Sequence, residues 1–137
     1  MVETEVIAPA PLAMIMLDTH IAVAFYDGRA AGLSAAARRL IDAGPVLISP
    51  AVLLEMELLH EIGRLRVDGA AIVKQLRDQL AIRVASERFA DVVSQALDLR
   101  FTRDPFDRLI VAHALLLKAR LATHDETLKR HYPASLH

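Results

Sequence analysis

Four acidic residues occupy positions where carboxylates are unusual, namely Asp18, Glu55, Asp107 and Asp125. Two of them follow predicted strands, and the other two lie on the apolar sides of helical segments. A carboxylate that faces a protein interior is costly unless it is paired, hydrogen-bonded or bound to a cation. Four carboxylates in one place cannot all stay ionised without a compensating cation. Their oxygen ligands suit Mg²⁺ or Mn²⁺ better than zinc, and the matching chemistry is phosphoryl transfer by a metal-dependent phosphodiesterase or phosphatase.

Glu55 differs from its neighbour Glu57 in the helix face that it occupies. The helical neighbours of Glu55 are apolar: Ala51, Val52, Leu58, Leu59 and, one turn further on, Ile62. Those of Glu57 are polar: His60, Glu61 and Arg64. We therefore expect Glu55 to face the interior and Glu57 to lie on a solvated face, although Glu55 could also pair with a buried arginine.

Asp107 also has apolar helical neighbours, since Ile110, Val111 and Ala114 share its face. The alternative is a capping arrangement with Asp104, three residues earlier. Capping boxes prefer Glu or Gln at the position of Asp107, so Asp104 is expected to cap the helix and Asp107 to point inward. Arg103 and Arg108 could pair with either acid.

Asp18 and Asp125 each follow a predicted strand and precede a predicted helix. Each could serve the site or simply cap the helix that follows it. Thr123 lies two residues before Asp125, on the same side of an extended chain.

The elements that must position these acids alternate between strand and helix. The apolar runs predict strands over 12–17, 45–48, 82–84 and 120–123, the last being the final clear strand. Capping residues and Pro or Gly boundaries predict helices over 20–26, 34–43, 49–62, 68–80, 86–97, 104–118 and 125–130, with Ser86 as one cap. This alternation predicts an α/β fold in which helices sandwich a parallel central sheet, with the site beyond the carboxyl ends of the strands.

Length and composition limit the function classes. The 137 residues make one domain, predicted over 14–137 after an N-terminal tail over 1–13, and the absence of Cys excludes disulfide scaffolds and thiolate zinc sites. The formal charge of −1 argues against binding nucleic acid through the overall field. No run is long enough to span a membrane and the N-terminus lacks the basic start of a signal peptide, so we expect a cytoplasmic protein.

Four segments together resemble the PIN-domain family and, within it, the VapC ribonuclease toxins of bacterial toxin–antitoxin pairs. They are Leu-Asp-Thr-His at 17–20, Ser-Pro-Ala-Val-Leu-Leu-Glu at 49–55, Asp-Pro-Phe-Asp-Arg-Leu-Ile-Val-Ala-His-Ala at 104–114 and Ala-Thr-His-Asp at 122–125. The likeness covers about residues 14–132 and implies a Rossmann-like, three-layer fold. The 104–108 segment is its most specific part.

The resemblance implies roles for individual residues. The family's four acids fall on Asp18, Glu55, Asp107 and Asp125, which would be both catalytic and metal-binding. Thr123 matches a small hydroxyl residue that accompanies the fourth acid, and Asp104 matches a recurrent neighbouring acid. His113 departs from the usual Gln or Thr, and the N-terminal tail is longer than usual.

The implied activity is that of a Mg²⁺- or Mn²⁺-dependent endoribonuclease that acts as a homodimer and is silenced by a cognate antitoxin. Arg64, Arg103 and Arg108 are candidate contacts to the RNA phosphates, or else ordinary surface arginines. Because four of the 17 acids would belong to the site, the remaining protein has an excess of the 16 basic residues. The near-neutral total therefore does not argue against a nuclease.

Three other protein classes share the size and the strand–helix alternation or the fold. A receiver domain would have an acidic pair after the first strand and a Lys after the last, and both are missing. A haloacid-dehalogenase-like phosphatase would have Asp-x-Asp at the first strand, where position 20 is His. A catalytically inactive PIN-fold module that binds RNA or protein is the remaining alternative, which a Mg²⁺ or Mn²⁺ titration would distinguish.

Overall fold

The computed structural model describes residues 14–137, and the tail predicted over 1–13 lies outside the described residues. Within residues 14–137, five parallel strands form one sheet: β1 (Ile15–Leu17), β2 (Val46–Ile48), β3 (Arg83–Val84), β4 (Arg120–Ala122) and β5 (Ser135–Leu136). Their order across the sheet is β3-β2-β1-β4-β5. All three residues of β1 and all three of β2 are buried, as expected for strands covered on both faces.

In the part of the chain that the structure describes, seven helices pack around this sheet: α1 (Thr19–Tyr26), α2 (Ala35–Ala43), α3 (Pro50–Glu61), α4 (Gly69–Leu80), α5 (Phe89–Ala96), α6 (Pro105–Leu117) and α7 (Glu126–His131). A short 3-10 helix spans Ala30–Gly32. The predicted three-layer α/β fold with a parallel sheet is confirmed. Over residues 14–137, no helix has the length and apolar content needed to cross a membrane.

The position of β1 creates the crevice where the acids meet. Ile15 pairs with Val46 of β2 on one side and with Arg120 of β4 on the other. The chain builds the sheet outward through β2 and β3, and then crosses back through α5 and α6 to β4. Connections therefore leave the two sides of β1 in opposite directions, which opens a crevice at the carboxyl ends of the strands.

Side-chain caps start the helices that border this crevice. Asp18 caps α1, Ser49 caps α3, Asp104 caps α6 and Asp125 caps α7, each accepting a hydrogen bond from a backbone amide of the first turn. Pro50 and Pro105 occupy the first positions of α3 and α6, where a missing N–H costs nothing. Local sequence signals thus place the starts of these helices at the carboxyl edge of the sheet.

Two predicted elements differ from the structure. The helix predicted from Ser86 begins at Phe89, and its N-cap is Arg88, which makes no side-chain capping bond. The preceding segment stays extended because Glu87 is bound to His113, so Ser86 as the cap was wrong. The strand over 120–123 was expected to be the last clear one, yet β5 follows it; with two residues, β5 is too short to show a periodic pattern.

Candidate metal centre

One cavity of about 160 Å³ lies at the carboxyl ends of β1 and β4, and acidic side chains dominate its wall. Its lining residues are Asp18, Thr19, His20, Glu55, Asp104, Asp107, Ile110, Asp125 and Leu128. All four acids singled out in the sequence, and the neighbouring Asp104, are therefore brought together. The lining contains no lysine or arginine to balance their charges.

Asp18 both caps a helix and lines the cavity. Its Oδ1 accepts a hydrogen bond from the backbone N–H of Ile21 at 2.9 Å, and its Oδ2 accepts one from the hydroxyl of Thr123. The side chain is only 4% exposed. Burial raises the pKa of this carboxyl above its ordinary value, although the bonds from Thr123 and Ile21 oppose that rise. The two roles considered for Asp18, capping α1 and lining the site, are therefore both filled by the same side chain.

Glu55 is held by a hydroxyl group rather than by a buried arginine. Thr19 Oγ1 donates to Glu55 Oε1 at 2.5 Å, and Thr19 itself is 3% exposed. Thr19 lines the cavity beside Asp18, a role that was not predicted from the sequence. The only signal was a hydroxyl residue directly after the strand-end acid, and nothing in the sequence links it to a glutamate 36 positions away.

Asp107 is half-buried and points into the cavity without closing a capping box. Asp104 Oδ1 accepts from the backbone N–H groups of Phe106 and Asp107 at 2.8 and 3.2 Å, so Asp104 is the cap. The N–H of Asp104 donates to Thr102 Oγ1, which leaves the Asp107 carboxylate out of the capping arrangement. Burial, followed by the charges of Asp104, Asp125, Glu55 and Asp18, raises the pKa of Asp107 to about 6.

Asp125 lies at the open side of the cavity and is exposed. Its Oδ1 accepts from the N–H of Leu128 at 2.9 Å, and its own N–H donates to Thr123 Oγ1 at 3.0 Å. Thr123 is fully buried and also donates to Asp18. A single hydroxyl therefore connects the first and last acids of the set, a link that the sequence did not predict.

The prediction that Glu57 lies on a solvated face is wrong. Glu57 is half-buried, and its Oε1 accepts a hydrogen bond from the N–H of Gly69 at the start of α4. Conversely, Leu58 and Ile62 from the apolar face of α3 are 38% and 67% exposed. The apolar face predicted for α3 is thus only partly buried, because α4 packs against the side of α3 that carries Glu57.

The three candidate arginines lie outside the lining of the acidic cavity. Arg64 is exposed and lines a separate cavity of about 450 Å³ with Tyr26 and Arg66. Arg108 is half-buried, and its Nε donates to the carbonyl of Thr102 at 2.7 Å. Arg103 is exposed. Any contact between these side chains and a phosphate would therefore occur at the periphery of the site.

His113 lies on α6 and makes a buried polar contact that the sequence did not reveal. Its Nδ1 is 3.2 Å from Ser49 Oγ, and its Nε2 is 2.8 Å from Glu87 Oε1. Both His113 and Ser49 are 2% exposed. These polar groups lie at one end of an otherwise apolar cavity of about 300 Å³, which is distinct from the acidic one.

The acidic cavity has the donor chemistry of a site for a hard divalent cation. Its potential ligands are carboxylate oxygens. Burial, reinforced at Asp107 by the neighbouring carboxylates, raises the pKa of Asp18 and of Asp107. In the described part of the chain, however, no three acidic or histidine side chains are arranged so that they could hold one ion as they stand. The side chains that line the cavity are therefore of the types that bind a divalent cation, but the carboxylates would have to reorient to bind one.

Comparisons with known proteins agree with this fold. The family model for the PIN domain matches residues 15–132. The chain therefore belongs to the PIN domain family, which confirms the family to which its motifs pointed. A search of curated protein sequences found no match.

Two solved structures share the fold. A toxin–antitoxin complex from Klebsiella pneumoniae aligns with a TM-score of 0.60 and 18% identity, covering 90% of this chain and 96% of that chain. VapBC2 from Rickettsia felis, bound to a DNA fragment from its promoter, aligns with a TM-score of 0.63 and 21% identity over the same shares. At these identities, the likeness establishes the common architecture.

Proposed function

We propose that this PIN-domain protein is a Mg²⁺- or Mn²⁺-dependent endoribonuclease and the VapC-type toxin of a cytoplasmic toxin–antitoxin pair. The observation that carries the proposal is the single cavity lined by Asp18, Glu55, Asp104, Asp107 and Asp125, whose described lining residues include no lysine or arginine. Such a concentration of carboxylates is unfavourable without a cation. The toxin–antitoxin structures that share this fold support the biological role.

Asp18, Glu55, Asp107 and Asp125 would hold the metal. When bound, a divalent cation activates water for attack on phosphorus and stabilises the leaving oxygen. The chain's own residues orient the ligands: Thr123 holds Asp18, and Thr19 holds Glu55. Asp104 fixes the start of α6, the helix that carries Asp107. His20 also lines the cavity, close enough to influence Asp18, and would meet the approaching phosphate.

Cleavage of RNA by purified protein tests the activity. We expect cleavage with Mg²⁺ or Mn²⁺, none in excess EDTA, and recovery when metal is restored. Asp18→Asn should reduce the rate at least about 100-fold while the fold persists, because Asn keeps the side-chain shape and a helix cap but loses the charge. Asp42→Asn, an exposed site on α2, is the matched control. Undiminished cleavage in EDTA would overturn the mechanism.

The alternative is a catalytically inactive PIN module that binds RNA or protein. The retention of every acid in one cavity favours the nuclease, since a binding module has no need of them. A Mn²⁺ titration separates the two functions: binding that Asp18→Asn abolishes supports the nuclease, and an absence of binding supports the module.

The proposed partners are an RNA substrate, a cognate antitoxin and a second copy of the chain. Growth arrest on expression, relieved by co-expression of a small protein from the neighbouring reading frame, would support the antitoxin. Light scattering of the purified protein would test the homodimer. The exposed apolar side chains of Leu54, Phe89 and Ile62 are 54%, 70% and 67% accessible, and they provide surface for such contacts.

A further inference from the structure

Helices α3 and α6 each contribute one acid to the acidic cavity, and a buried hydrogen-bonded connection joins the two helices away from that cavity. Ser49 at the start of α3 contacts His113 of α6, while Glu55 and Asp107 line the cavity. Glu55 comes six residues after Ser49, and Asp107 comes six residues before His113. Each interval is about 9 Å along a helix axis. The Ser49–His113 contact therefore lies away from the acid that each helix contributes to the cavity.

Both ring nitrogens of His113 have a hydrogen-bond partner. Ser49 Oγ accepts from the N–H of Ala51 at 3.1 Å, so its hydroxyl proton is free to be donated to Nδ1 of His113. The ring then carries its proton on Nε2 and donates it to Glu87 Oε1. Glu87 belongs to the segment that connects β3 to α5. One ring therefore joins α6 to the first residue before α3 and to this connecting segment.

We propose that His113 is a positioning residue that sets the spacing of Glu55 and Asp107 by locking α3 against α6. The proposal depends on the metal-site function proposed above, for which this spacing matters. A buried polar link is suited to the task because its donors and acceptors are satisfied in only one arrangement of the two helices. An apolar contact at the same place would tolerate sliding. His113 does not itself touch the acidic cavity.

Spin labels can measure the helix spacing without any activity assay. The chain contains no cysteine, so Ile62→Cys after α3 and Leu115→Cys on α6 give two unique sites, 67% and 37% exposed. At 1.5 Å per residue the labels lie on the order of 20 Å apart, within the range of pulsed dipolar spectroscopy. This background would be combined with His113→Leu, which removes both bonds, and His113→Gln, whose amide can still donate and accept.

Two more variants make the test specific. Glu87→Ala removes a partner whose side chain is 31% exposed, so it should fold even where His113→Leu does not. Ile41→Ala opens a comparable defect in the core at α2, away from α3 and α6. We expect a broadened or shifted distance distribution for His113→Leu and Glu87→Ala, and an unchanged one for His113→Gln and Ile41→Ala. The first two should also bind Mn²⁺ roughly 10-fold more weakly by calorimetry.

The outcomes separate this proposal from the proposed function. An unchanged distance distribution in both His113→Leu and Glu87→Ala would overturn the positioning role. A changed distribution with unchanged Mn²⁺ affinity would overturn the claim that the link serves the carboxylates. If the wild-type protein neither binds Mn²⁺ nor cleaves RNA, the proposed function is wrong, while the distance distributions still decide whether His113 locks the two helices.

Discussion

The hydroxyl of Thr19 donates a hydrogen bond of 2.5 Å to Oε1 of Glu55, joining the first residue of α1 to the middle of α3. The bond occupies one carboxylate oxygen and fixes the direction of the other. Because Thr19 directly follows Asp18, the same short segment supplies one acid of the cavity and orients a second.

Replacing Thr19 by Val should show how far the orientation of Glu55 depends on this hydrogen bond, because Val keeps the shape of Thr and loses the donor. We expect the free energy of unfolding to fall by about 1–3 kcal/mol, as for a hydrogen bond to a charged group. Mn²⁺ affinity should fall about 10-fold. Urea denaturation and calorimetry measure the two effects. Thr19→Ser is the control, and equal Mn²⁺ affinity in the Val and Ser variants would exclude the orienting role.

The stability of the metal-free protein should depend on pH through Asp107. Its pKa of about 6 in the fold lies above the ordinary value of 3.8, so the protonated form favours the folded state. This contribution is complete below pH 4 and is lost as the pH rises through 6. Since the group is half exposed, we expect a loss on the order of 1 kcal/mol.

The variant Asp107→Asn should flatten this decline in urea denaturation series between pH 4 and pH 7. Asp18 also has a raised pKa, so part of the decline should remain. The exposed Asp42 on α2 provides the control substitution, Asp42→Asn, which should leave the wild-type profile intact. If Asp107→Asn leaves the pH dependence of the free energy of unfolding unchanged, the pKa of Asp107 is not raised in the folded protein.

Divalent metal should stabilise the protein at neutral pH, because it compensates the clustered carboxylates in the folded state only. At 100 times its Kd, Mn²⁺ should raise the free energy of unfolding by about 2.7 kcal/mol. Thermal melts with and without metal measure the shift, and Asp18→Asn should remove most of it. If Mn²⁺ does not change the melting temperature of the wild-type protein, that result would contradict the assignment of a metal centre.

The close packing of α4 against α3 predicts that Gly69 tolerates no side chain. A Cβ at this position would lie 2.9 Å from the carbonyl oxygen of Leu53 and 3.4 Å from the N–H nitrogen of Glu57. Gly69→Ala should therefore lower the free energy of unfolding by about 1–3 kcal/mol. Gly32→Ala is the control, since its nearest neighbour would be His124 Nε2 at 3.9 Å. Comparable stability of the two variants in urea would show that α4 moves away freely.

Much of the fold could be predicted because its signals are local. Apolar runs specify β1 and β2, and a cap followed by Pro specifies the starts of α3 and α6, since these patterns depend on neighbouring residues alone. The start of α5 could not be predicted in this way. Ser86 has the form of a cap, but the long-range contact between Glu87 and His113 keeps the segment extended. The two-residue β5 forms only because β4 offers an unpaired edge.

The sequence by itself indicated that Glu55 and Asp107 face inward, from helical periodicity, and that Asp18 and Asp125 follow strands at the carboxyl edge of a parallel sheet. Only the tertiary structure decided what holds those acids. The hydroxyls of Thr19 and Thr123 reach Glu55 and Asp18 across 36 and 105 positions. Such pairings arise when separate elements pack together, and short-range patterns carry no record of them. The same reason explains why Glu57, predicted to be solvated, instead binds the start of α4.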